Sequence, residues 1–144
     1  MSIVDRMFDS GGSPNTDGWR LLKQSDNRFW FCLGGGLEPE TNGCDAGLAT
    51  TVTSQTKVVP GVWYNVVARK TAGRISIYVN GRREGTTTLG PFFDDNTADV
   101  LVGANDPEGA HLNGVVGEVA IYRRALSPDE IRTLFETSRP SYAR

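Results

Sequence analysis

The side chains able to do chemistry are few and mostly acidic. Phe93-Asp94-Asp95-Asn96-Thr97-Ala98-Asp99 concentrates three carboxylates in one short stretch, and Asn105-Asp106-Pro107-Glu108 adds two more. Oxygen donors of this kind suit calcium, which takes six to eight of them. Asp94, Asp95 and Asp99 are the first candidate ligands, ahead of Asp106 and Glu108. The spacing is not that of an EF-hand, and the same residues also build ordinary solvated turns. Glycoside hydrolysis needs paired carboxylates projecting across a cleft, yet no strand-like run reads Glu-x-Asp-x-Glu. Glu38 and Glu40 fall in a Gly/Pro-rich loop, where solvent is their expected partner. His111, the single histidine, has no nucleophile at a useful spacing. Catalysis is therefore not expected.

Trp19, Trp30, Trp63 and Tyr64 could stack on a sugar ring, but large aromatics in strand-like runs are expected to be core. Phe92 and Phe93, beside Pro91, are the rings expected at the surface. Binding residues concentrate on loops carried by rigid scaffolds, which nominates Phe93, Asp95, Asn105 and Asp106 as ligand contacts. Cys32 and Cys44 flank a Gly/Pro/Asn-rich loop. A disulfide closing so short a loop is worth about 2–3 kcal/mol, and it is the preferred reading. Two free thiols in a reducing compartment are the alternative. A zinc site wants four Cys or His ligands, and these do not exist at suitable spacing.

The elements that would position these groups are short and strand-like. Ile3 to Phe8, Trp19 to Gln24, Arg28 to Leu33 and Ala49 to Val59 are the first four expected strands, separated by Gly, Pro, Asn and Asp turns. In Arg28-Phe29-Trp30-Phe31-Cys32-Leu33 both alternating faces are apolar, as in a strand covered on both sides. Val62 to Arg69 follows Pro60-Gly61, and Arg74 to Val79 alternates cleanly, with Ile75, Ile77 and Val79 on one face. Asn80-Gly81 then marks a type I′ hairpin leading into Arg82 to Thr88. Leu101 to Gly103 and Val115 to Tyr122 are the last expected strands. So many strands at this spacing predict a sandwich.

Only the carboxyl-terminal region reads as helix. Ser127 is the N-cap, Pro128 the first helical residue, and Glu130 completes a capping box. The expected span is Pro128 to Thr137, with Ile131, Leu134 and Phe135 as its apolar stripe and Pro140 just beyond its end.

Five segments together carry a family likeness. They are Gly61-Val62-Trp63-Tyr64-Asn65-Val66-Val67-Ala68, Ile77-Tyr78-Val79-Asn80-Gly81, Val100-Leu101-Val102-Gly103, Asn113-Gly114-Val115-Val116-Gly117-Glu118-Val119-Ala120-Ile121-Tyr122, and Arg124-Ala125-Leu126-Ser127-Pro128-Asp129-Glu130-Ile131. In this order they resemble the laminin G-like domains of the concanavalin A-like lectin/glucanase superfamily. The resemblance implies an all-β fold, an antiparallel jelly-roll β-sandwich with a short carboxyl-terminal helix, and it implies a core position for Trp63. It also sets Glu118 where many members have an acid that helps hold calcium, making it a fourth candidate ligand. The residues expected opposite that acid are absent. The family's opening strands are likewise not found ahead of Ile3-Val4-Asp5-Arg6. One sheet is then expected to show an unpaired edge, a recognised association hazard. A second copy in a homodimer, a strand-donating partner or the rest of a longer chain would fill it.

Composition sets the outer limits. The 144 residues suit a single domain, 1–144. The formal charge of −2, with no Lys/Arg run longer than two, argues against nucleic acid. No apolar stretch approaches the roughly 20 residues of a membrane span, so no membrane insertion is expected. Met1 to Arg6 does not form a signal peptide, which leaves a cytoplasmic protein or a module of a longer secreted one. The combined expectation is a non-catalytic, extracellular or cell-surface module that recognises a glycan or protein ligand, with calcium as the one cofactor its residues admit. An assembly module pairing through a sheet edge, and a degenerate glycoside hydrolase fragment, are the alternatives.

Overall fold

The computed structural model describes residues 1–8, 17–34, 51–89, 99–104 and 111–142. Among the described residues eight strands precede one helix: β1 (Ser2–Phe8), β2 (Asp17–Lys23), β3 (Arg28–Leu33), β4 (Thr51–Lys57), β5 (Val66–Lys70), β6 (Arg74–Val79), β7 (Arg82–Thr88), β8 (Leu101–Val102) and α1 (Pro128–Tyr142). They form a five-stranded sheet in the order β4-β3-β2-β1-β8 and a three-stranded sheet in the order β5-β6-β7. Every strand pairing is antiparallel. The expected β-sandwich with a carboxyl-terminal helix is therefore the fold.

Alternation along the strands makes the core. Phe29, Phe31 and Leu33 share one face of β3 and pack with Leu21 of β2 and Val52 of β4. Ile75, Ile77 and Val79 of β6 meet them from the opposite sheet, each at 2% exposure or less. Truncating such a residue to alanine typically costs about 2–5 kcal/mol. The other face of β6 is buried too: Tyr78 packs under Leu126 and Ile131, so α1 covers the outside of the small sheet. The sheets meet at the β4/β7 corner. There Glu84 accepts hydrogen bonds from the Gln55 and Thr56 amides at 2.9 and 2.8 Å and from the Thr56 hydroxyl at 2.6 Å.

Two local signals work as read. Asn80 and Gly81 have φ of 50° and 76°, the positive values a type I′ hairpin requires. Glu130 N–H donates to Ser127 Oγ at 3.1 Å and Ser127 N–H donates to Glu130 Oε2 at 2.7 Å, a complete capping box. A buried ion pair joins Asp5 of β1 to Arg20 of β2, and Ser2 Oγ donates to the same carboxylate at 3.3 Å.

Three expectations are corrected. Val115 to Tyr122, expected as a strand, forms none, because no strand among the described residues offers it a hydrogen-bonding edge. The strand expected from Val62 begins only at Val66, because the Pro60-Gly61 turn and its exit occupy the residues before it. Finally, α1 does not stop at Thr137 but continues through Pro140 to Tyr142. Proline's fixed φ is close to the helical value, so the backbone path can continue through position 140.

Candidate functional site

The site begins with the turn that launches β5. Pro60 and Gly61 occupy the central positions of Val59-Pro60-Gly61-Val62, closed by a hydrogen bond from Val62 N–H to Val59 C=O at 3.3 Å. Gly61 has φ of 79°, the left-handed value that the third residue of a type II turn demands. The turn is anchored by Tyr64, whose hydroxyl accepts the Val59 amide at 3.1 Å. The Tyr64 ring packs edge-to-face on Phe29 of the core at 5.5 Å. With Tyr64 drawn inward, Trp63 is turned outward and is 44% exposed, flanked by Val59 and Val62 at 54% and 53%. This corrects the core position that the resemblance implied for Trp63. The signal was present in Pro60-Gly61, since a tight turn there leaves the next residues outside the sheet.

A second surface lies where the chain enters α1. Tyr122, Arg124, Leu126, Glu130 and Leu134 line an open groove of about 380 Å³. Its polar wall is a two-pronged ion pair: Arg124 Nη1 donates to Glu130 Oε2 at 2.9 Å and Nη2 to Oε1 at 2.6 Å. The Arg124 guanidinium, with the Ser127 amide behind it, lowers the Glu130 carboxyl to about 2. The same carboxylate raises Arg124 further above its ordinary value. Both side chains reach solvent, so the arrangement fixes the groove wall more than it stabilises the fold. Just upstream runs an apolar strip in which Val115, Val119, Ile121 and Tyr122 are 75%, 40%, 60% and 48% exposed.

The sequence-expected site residues divide by location. Phe93, Asp94, Asp95, Asn105, Asp106 and Glu108 lie outside the described residues, as do Glu38, Glu40, Phe92 and Cys44. Asp99, Glu118 and His111 are described, and all three are exposed. Among the described residues no group of three or more His, Cys, Asp or Glu is assembled. Asp99 and Glu118 alone do not supply the six to eight oxygens calcium takes, so the described residues do not by themselves fit that ion. Cys32 is fully buried in β3, opposite Arg20 on one side and Thr51 on the other.

Two antiparallel sheets packed face to face, with a helix on the smaller one, define an antiparallel β-sandwich. A laminin G family model, described as the Concanavalin A-like lectin/glucanases superfamily, matches residues 2–132, and the chain belongs to that family. A comparison with curated proteins returns no match. Among solved structures the chain is similar to an S-layer domain-containing protein (residues 221–444) from Clostridium thermocellum ATCC 27405. The identity is 26% and the TM-score 0.47, over 90% of this chain and 60% of that one.

Proposed function

We propose that this domain is a non-catalytic recognition module for a glycan or a protein, displayed outside the cell as one part of a larger secreted or surface protein. Membership of a lectin-containing superfamily supports the class. The observation that carries it further is Trp63, an exposed indole on a turn braced by Gly61, the Tyr64 hydroxyl and Phe29. A rigid aromatic surface of this kind stacks on sugar rings and anchors protein interfaces at low entropic cost. Apolar flanks at Val59 and Val62 extend it.

The test is a titration of the full chain with a defined panel of neutral and acidic oligosaccharides and purified matrix proteins, read by tryptophan fluorescence and by calorimetry. Binding that Trp63→Ala abolishes, with the melting temperature unchanged, is the expected result. Binding that survives this substitution, or turnover of an aryl glycoside, overturns the reading.

A further inference from the structure

The chain contains the dipeptide Asn-Gly at residues 42–43, 80–81 and 113–114, and the first of these lies outside the described residues. A glycine after asparagine opens the way to one covalent reaction. Its amide nitrogen, with no Cβ beside it to hinder approach, can attack the side-chain carbonyl carbon of the asparagine. The nitrogen gives up its proton, the new C–N bond closes a five-membered succinimide, and the side-chain nitrogen leaves as ammonia. Water then opens the ring at either carbonyl and yields aspartate or isoaspartate. Closure requires the glycine nitrogen to swing round onto the Cβ side of the asparagine, so the fold decides which dipeptide reacts.

Asn80 is held out of that geometry. It opens the β6–β7 turn with φ of 50°, and Gly81 follows at 76°. In this left-handed conformation the next nitrogen lies nearly opposite Cβ across the Cα–C bond. The Asn80 N–H donates to Asn65 C=O at 2.8 Å, and Asn80 Oδ1 accepts the Asn65 N–H at 3.0 Å. Gly81 presses on α1, where an added Cβ would lie 3.2 Å from the Phe135 ring and 3.3 Å from Arg132 Cα. Reaction at Asn80 therefore needs the turn to unwind, both bonds to break and the hairpin tip to part from the helix.

Asn113-Gly114 is placed differently. Both residues are exposed, in a bend outside the strands and the helix. Gly114 does not have a positive φ, and a Cβ added to it would meet nothing nearer than the Leu112 side chain at 3.6 Å. The attacking nitrogen is thus reachable by base, and turning it does not unseat a strand.

We infer that Asn113 is a modification site, converted by water alone to aspartate and isoaspartate in the folded protein, while Asn80 is preserved. Each conversion makes the chain one unit more negative than its formal −2. Isoaspartate also inserts a methylene into the main chain just ahead of the exposed strip that begins at Val115.

The inference is independent of ligand recognition at Trp63, and its test does not use a ligand. The full chain is aged at mildly alkaline pH and body temperature, separated by ion exchange and mapped by peptide mass spectrometry. Enzymatic methylation of the free α-carboxyl counts the isoaspartate. Asn113 is expected to convert at least about tenfold faster than Asn80, the ratio that about 1.4 kcal/mol of local holding supplies. In strong urea the two rates are expected to converge, because the turn no longer protects Asn80. Gly114→Ala, whose Cβ fits the fold but hinders the attacking nitrogen, is expected to suppress conversion at 113 with the melting temperature unchanged. Equal rates at the two sites in the folded chain, an Asn113 that reacts only in urea, or undiminished conversion in Gly114→Ala would each overturn the inference.

Discussion

Replacing Gly85 by alanine tests how closely the two sheets approach. A Cβ at this position of β7 would lie 2.5 Å from the Thr53 carbonyl oxygen and 2.8 Å from Val52 Cγ2, both in β4. The carbonyl belongs to a strand hydrogen-bonded to β3, so it cannot rotate away. The corner must open instead. That movement strains the three hydrogen bonds from Gln55 and Thr56 to the neighbouring Glu84, at 2.9, 2.8 and 2.6 Å. Overpacking of a close contact costs about 1–3 kcal/mol, and weakening one bond to a charged acceptor costs about 1.5 kcal/mol more. The lower entropy of an unfolded alanine chain offsets about 0.4–1 kcal/mol. A net loss of about 2–3 kcal/mol is expected, lowering the urea midpoint by roughly 1 M at an unchanged slope. Gly73→Ala is the control. Its Cβ meets nothing within 4 Å and its φ is not positive, so a gain of about 0.4–1 kcal/mol is expected there. If Gly85→Ala unfolds within about 0.5 kcal/mol of wild type, the ordinary range of a surface substitution, then β4 and β7 are not in the contact described.

Four further outcomes are expected. Arg20→Met takes the guanidinium away from Asp5, which is 1% exposed and keeps the Ser2 hydroxyl as a donor; because Arg20 itself reaches solvent, the loss in urea unfolding is about 2–4 kcal/mol. Adding Asp5→Asn to that variant should recover part of the loss, and a more severe double variant would contradict the pairing. Glu130 is held at about 2 when folded, against 4.5 for the free group, so its contribution is complete above pH 4.5 and disappears as pH falls toward 2. The melting temperature of wild type should accordingly fall more steeply across that window than that of Glu130→Gln, and parallel curves would remove Arg124 as its partner. Calcium added after chelation tests the acidic stretch: a rise in melting temperature abolished by Asp94→Asn or Asp95→Asn would place the ion at residues 94–99, and an unchanged melting temperature would remove calcium as a ligand. A disulfide between Cys32 and Cys44 predicts no alkylation of the unreduced, denatured chain by mass spectrometry, whereas uptake of two labels would establish free thiols.

Much of the architecture is legible in local sequence, and the reason is that its determinants are local. The alternation of Ile75, Ile77 and Val79, the Asn80-Gly81 dipeptide and the Ser127–Glu130 spacing each specify a backbone conformation within a few residues. The structure reproduces all three. The five ordered segments that resemble laminin G-like domains likewise lead to the family to which the chain belongs. Placement of the site is less legible. Trp63 reads as core by resemblance, and whether a tryptophan is buried depends on where the preceding turn releases the chain relative to the sheet.

Taken by itself, the sequence determined the elements, the faces they bury and the family, because periodicity and turn chemistry operate over one to eight neighbouring residues. Tertiary structure alone decided which apolar residues stay outside. Val115 to Tyr122 has the pattern of a strand, but a strand exists only when another strand's backbone accepts it, and no described element of this chain does so. The depth of Gly85 against Thr53 and the outward indole of Trp63 were decided the same way, by the relative position of segments distant in sequence.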